Sequence, residues 1–131
     1  MPKDVHVGRS VVLIIEDDAF LIKIYQVRFR AEGIDVWTAT DGSEALSFLV
    51  KEPPNIVLLD LMLPNVSGWD VLIAVRKNDK WKSVPVIILS NLGQPEDIER
   101  GKELGATDYI VKANVRINDV VERAKKFLMQ G

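Results

Sequence analysis

The sequence predicts an α/β domain: a doubly wound, five-stranded parallel sheet with helices on both faces. Three observations predict it. Short apolar runs alternate with stretches of helical period five times over, which is the pattern of repeated strand and helix units. The first, third and fourth runs are almost wholly apolar, as strands buried on both faces should be, whereas the second and fifth alternate or are shorter and suit sheet edges. Right-handed crossovers then place helices on both sides, and those edges fit the strand order 2-1-3-4-5.

Val11 to Ile15 is the first strand, followed by a helix whose Phe20, Ile24, Val27 and Ala31 recur at helical spacing until Gly33 closes it. Asp18 is expected to cap that helix. Ile34 to Ala39 forms the second strand, and Asp41 caps a second helix with Ala45, Phe48 and Leu49 inward, ended by Pro53-Pro54. Ile56 to Leu59 is the third strand; beyond a loop holding Pro64 and Gly68, the third helix presents Trp69, Leu72 and Ile73. Val84 to Leu89 is the fourth strand, with Pro85 near its start, where a missing ladder donor costs least. Pro95 suits the first turn of a fourth helix, thinly anchored by Ile98 and Leu104 and ended by Gly105. Tyr109 to Val111 is the fifth strand, and Ile117, Val120, Val121, Ala124, Phe127 and Leu128 make the regular stripe of a closing helix.

A chain of 131 residues is read as one domain over 1–131, its core about 10–129 and residues 1–9 a polar tail. With 47% apolar and 27% charged residues it has the composition of an ordinary globular protein. It has no cysteine, so disulfides, thiolate metal sites and thiol nucleophiles are excluded. A net charge of -2 lacks the basic footprint of a phosphate-backbone binder, so no direct nucleic-acid contact is expected. No apolar run is long enough to cross a bilayer and no secretory leader is recognisable, so no membrane association and a cytoplasmic location are the default expectations.

Ligands of open α/β sheets sit beyond the carboxyl ends of the strands, where the order reverses. Those ends here carry Glu16-Asp17-Asp18, Asp60, Ser90-Asn91 and Lys112. Taken singly, each is most simply a helix cap or a solvated loop residue. Together they bring several carboxylates, a hydroxyl and an ammonium into one crevice, and carboxylates held close repel unless a cation compensates them. With no histidine or cysteine nearby, the donor set suits a hard ion, Mg²⁺ foremost with Mn²⁺ as a substitute. Such an ion would let a phosphoryl group approach Asp60, the candidate nucleophile.

The motifs "LIIEDD", "IVLLDLMLP", "VIILSN" and "DYIVKA", in this order and spacing, resemble the receiver domain of bacterial two-component response regulators, over about residues 10 to 129. The likeness is to single-domain, chemotaxis-regulator-like members, whose fold is flavodoxin-like. It implies that Asp60 takes a phosphoryl group from a histidine kinase phosphohistidine or a histidine phosphotransfer protein. Asp17 would ligate Mg²⁺ directly, Glu16 mainly through water, and the Met62 backbone carbonyl would complete the protein's share. Lys112 would pair with Asp60 and then with the phosphoryl oxygens; Ser90 would hydrogen-bond the attached phosphoryl group, and Tyr109 would turn inward as that bond forms. Protein targets would dock on the face made by helix four, strand five and helix five, and with nothing folded after the last helix the output is expected to pass through a partner.

Two positions depart from the family pattern. Ala113 stands where a cis-proline is usual, and a cis bond before a non-proline residue costs about 3 kcal/mol, so the presentation of Lys112 is open to change. Asn91 replaces a small residue beside Ser90. Met62 and Leu92 are both apolar and unable to orient an attacking water, so the phosphoryl form is expected to be long-lived; a half-life of seconds in Mg²⁺ buffer would count against this. A receiver-like interaction module that works without phosphorylation is the alternative, supported by Ala113 and Asn91. A phosphatase of the haloacid dehalogenase kind would need a second aspartate where Met62 stands, and a flavodoxin would not place Glu16-Asp17-Asp18 at its phosphate loop. His6 is expected to be neither ligand nor catalyst, Trp37 and Trp81 to be packing or partly exposed aromatics, and Trp69 to pack in the core. The charges from Glu96 to Glu103 are read as a solvated face.

Overall fold

A computed structural model describes residues 9–130, the side chain of Gln130 excepted. His6 and most of the N-terminal tail lie outside them. The elements run β1 (Val11–Ile15), α1 (Ala19–Ala31), β2 (Asp35–Ala39), α2 (Gly42–Ser47), β3 (Ile56–Leu59), α3 (Gly68–Lys77), β4 (Val86–Ser90), α4 (Pro95–Glu103), β5 (Asp108–Val111) and α5 (Ile117–Gln130). All neighbouring strands are parallel and the sheet order is β2-β1-β3-β4-β5, as predicted.

Strand alternation divides the interior into two cores. Leu13, Ile15, Val57, Leu59, Val86 and Ile88 face α2 and α3, meeting Val71, Leu72, Val75 and Trp81. Val12, Ile14, Ile56, Leu58, Ile87 and Leu89 face α1 and α5, meeting Tyr25, Phe29, Val120, Val121 and Ala124. β1, β3 and β4 are therefore buried along their whole length, while β2 and β5 are mostly half-buried edges. Burying a side chain the size of Phe29 contributes roughly 2–3 kcal/mol, which is what docks a helix here.

Several local expectations are corrected. Most of the stripe expected to bury α1 faces water: Phe20 is 75% and Val27 67% exposed, Ala31 is exposed and Ile24 only half-buried, and Ile22, Tyr25 and Phe29 are the buried set. Both sets satisfy helical spacing, so the period was right and its phase wrong; the sheet takes the side with the two aromatic rings. On α3 the buried face is Val71, Leu72 and Val75, with Trp69 and Ile73 half-buried. α2 stops at Ser47, and Phe48–Val50 tightens into a 3₁₀ turn. β4 begins only at Val86, since Pro85 offers no ladder donor. The expected caps hold: the Asp18 carboxylate accepts from the N–H groups of Phe20 and Leu21, and the Asp41 carboxylate from that of Glu44.

Candidate functional site

Register brings the acidic residues together. Ile15 and Leu59 are paired at the ends of β1 and β3, and one residue later the Asp60 N–H donates to the Ile15 carbonyl at 3.0 Å. Glu16 and Asp60 thus leave the core side by side, 3% and 6% exposed, with Asp17 exposed at the mouth. One carboxylate oxygen from each of the three lies within 4.8 Å of the others. The next two strands complete the floor and wall: Ser90, fully buried, ends β4, and Lys112 follows β5.

Lys112 binds the crevice together. Its Nζ donates to Glu16 Oε1 at 2.6 Å and to Asp60 Oδ2 at 3.0 Å. The opposite oxygens accept backbone donors, Glu16 Oε2 from the Asp18 N–H at 3.2 Å and Asp60 Oδ1 from the Met62 N–H at 3.1 Å. Burial raises the Glu16 carboxyl above its ordinary range and outweighs the Lys112 ammonium, which acts the other way. Burial alone would lower Lys112, but its hydrogen bonds to Glu16 and Asp60, with their charges, hold it above its usual value. Two buried carboxylates therefore share one ammonium, with the Asp17 carboxylate within 4.8 Å of both.

The donor set fits a hard divalent cation: three carboxylates from adjacent strand ends, two buried and one open to water, with no nitrogen or sulfur ligand among them. Lys112 opens a 3₁₀ turn, Lys112–Asn114, with no cis peptide bond among the described residues, and it still reaches both carboxylates. The substitution at Ala113 leaves the lysine in place. Asn91 is exposed, and the Met62 side chain is 57% exposed beside Asp60. The Met62 N–H is engaged with Asp60, whereas a part for its carbonyl rests on the family resemblance alone. At Ser90, Oγ accepts the Leu92 N–H at 3.3 Å, and the Tyr109 hydroxyl donates to the Leu92 carbonyl. Tyr109 thus already lies against the β4–α4 loop, its hydroxyl pushed up to about 12, chiefly by burial.

Two features of the site had no clear sequence signal. Gly68 lies so close to the Asp60 loop that a Cβ there would meet the Asp60 carbonyl oxygen at 2.4 Å; the sequence marked it only as a loop glycine. Arg100, read as part of a solvated face, stands with its guanidinium 4.3 Å from the centroid of the Trp69 ring, a contact between distant helices that no local spacing encodes. A groove of about 490 Å³ is lined by Trp37, Thr38, Phe48, Lys51 and Glu52 and holds none of the crevice residues.

Comparison with known proteins agrees with this arrangement. Residues 12–125 match the family model described as response regulator receiver domain. The chain is 41% identical to "Probable transcriptional regulator ycf27" of Porphyridium aerugineum, over 90% of this chain and 50% of that protein. It superposes on the Francisella response regulator 1452 receiver domain with a TM-score of 0.85 at 30% identity, covering 93% of this chain and 98% of that one. The chemotaxis protein CheY4 of Vibrio cholerae gives a TM-score of 0.83 at 26% identity, covering 92% and 99%. The chain spans about half the length of the curated relatives it matches, so its likeness in sequence is to transcriptional regulators, and the narrower chemotaxis-like placement does not follow.

Proposed function

The chain belongs to the response regulator receiver domain family, and from that premise we propose that Asp60 accepts a phosphoryl group from the phosphohistidine of a sensor histidine kinase or a histidine phosphotransfer protein. An Asp60 carboxylate oxygen forms the new O–P bond as the N–P bond of the donor breaks; the departing imidazole keeps the electron pair and takes a proton from solvent. Asp17, Asp60 and the Met62 carbonyl would hold Mg²⁺, or Mn²⁺ in its place. Glu16 would act mainly through water, as the family resemblance implies. When bound, the ion would supply positive charge against the oxygens of the transferring group.

The chain's own groups do the rest. Lys112 orients Asp60 before transfer and pairs with phosphoryl oxygens after it. Ser90 Oγ takes the Leu92 N–H with a lone pair, which leaves its own proton to donate to the phosphoryl group. Tyr109 couples that loop to β5, and we read the face of α4, β5 and α5 as where a protein target senses the change. The net charge of -2 favours protein over nucleic acid as the first recipient.

The observation that carries this reading is the buried Asp60 carboxylate, joined through Lys112 to Glu16 and within 4.8 Å of Asp17. Labelling by acetyl phosphate with Mg²⁺ tests it. The wild-type chain should take up an acid-stable, base-labile label, and Asp60→Asn should take up none. A wild-type chain that stays unlabelled under every donor would favour an interaction module that works without phosphorylation.

A further inference from the structure

We propose that the contact between Trp69 and Arg100 positions α4 for phosphoryl transfer at Asp60, an inference that rests on the receiver reading above. One end of the contact is fixed to the acceptor loop. The Gly68 N–H donates to the Leu61 carbonyl at 2.9 Å, and a Cβ on Gly68 would meet the Asp60 carbonyl oxygen at 2.4 Å and Leu61 Cα at 2.5 Å. Trp69, the next residue, therefore projects from backbone packed directly against the Asp60 loop.

The other end is fixed to the switch loop. Arg100, whose guanidinium covers the Trp69 ring at 4.3 Å, precedes Gly101, the buried residue of α4. A Cβ on Gly101 would meet Ile88 Cδ1 at 2.9 Å and Tyr109 Cδ2 at 3.0 Å, so the helix backbone lies directly on the tyrosine ring. The Tyr109 hydroxyl donates to the Leu92 carbonyl, and the Leu92 N–H donates to Ser90 Oγ at 3.3 Å. These contacts make a continuous path from the Asp60 backbone through α3 and α4 to Ser90.

α4 depends on this clasp because it has little else. Its sequence, PEDIERGKE, offers Ile98 as its sole large apolar side chain, and that residue is only half-buried. With α4 seated, Tyr109 is held between Gly101 and Leu92, and the Leu92 N–H orients the Ser90 hydroxyl. Without the clasp α4 lifts, Leu92 is released, and the Ser90 hydroxyl loses the N–H that orients it. Trp69 and Arg100 touch none of the reacting atoms, so both are positioning residues. The path is physical rather than statistical, since each link is a contact with named atoms.

The test compares initial labelling rates with acetyl phosphate and Mg²⁺ alongside amide exchange across α4. Arg100→Ala should label about three-fold more slowly, the size expected for one exposed cation–π contact. Its α4 amides should exchange faster while those of the sheet do not change. Lys77→Ala, which removes the same charge from an exposed position on α3, should keep the wild-type rate. Trp69→Leu should match Arg100→Ala, and the double variant should be no slower than either, because both break one contact. An Arg100→Ala chain that labels at the wild-type rate would overturn the proposal, as would an equal loss in Lys77→Ala. If the wild-type chain takes no label, the receiver reading fails; unchanged α4 exchange in Arg100→Ala would then overturn the clasp separately.

Discussion

β5 carries an ion pair at each end, and the two are built to opposite balances. At its start Asp108 accepts from Arg123 Nη2 at 2.6 Å and Nε at 3.1 Å, one carboxylate to one guanidinium, with the side chains 23% and 42% exposed. Just past its end Lys112 serves both Glu16 and Asp60, whose side chains are 4% and 8% exposed, with Asp17 close by. The first pair is neutral and docks α5 on the sheet edge. The second sets two buried carboxylates against one ammonium, an arrangement that docking alone does not require. The comparison teaches that charge balance and burial, rather than the mere presence of an ion pair, separate a structural contact from a site.

The largest effect should come from removing the shared cation. Lys112→Met leaves Glu16 and Asp60 facing each other and should cost about 3 kcal/mol in metal-free urea denaturation near neutral pH, part of it recovered by Mg²⁺. A cost no greater than that of removing Arg123 would break the comparison. Alkaline pH should then sharpen it. Lys112 is held above its usual 10.5, so the stability it contributes is fully present below that value and lost as pH rises through the higher, folded one. The Tyr109 hydroxyl, moved from 10.0 to about 12, adds a loss in the same direction over that interval. Above about pH 9 the urea midpoint should fall steeply, less steeply in Tyr109→Phe. The smallest effect should be that of Arg123→Gln, about 1 kcal/mol or less and unaltered by Mg²⁺, as for a part-exposed pair.

Much of this was legible in the sequence because the signals are local. Five apolar runs gave five strands, and the contrast between wholly apolar and alternating runs gave the strand order. Glu16, Asp17, Asp60, Ser90 and Lys112 could be named because each ends a strand or lies within two residues of a strand's end, where an α/β sheet must place its ligands. What escaped is long-range or ambiguous in phase. α1 offers two apolar stripes of the same period, and only the sheet decides between Phe20–Val27 and Tyr25–Phe29. That Lys112 reaches Glu16 as well as Asp60, and that Arg100 lies on Trp69, depends on packing between elements far apart in the chain. The approach of Gly68 to Asp60 is likewise set by the loop's tertiary path.

The central claim is that Asp17 and Asp60 share one divalent ion. Calorimetric titration of Mg²⁺ into the wild-type chain, Asp17→Asn and Asp60→Asn tests it most directly. The wild type should show a single site that either substitution abolishes or severely weakens. Equal affinity in all three chains would contradict it.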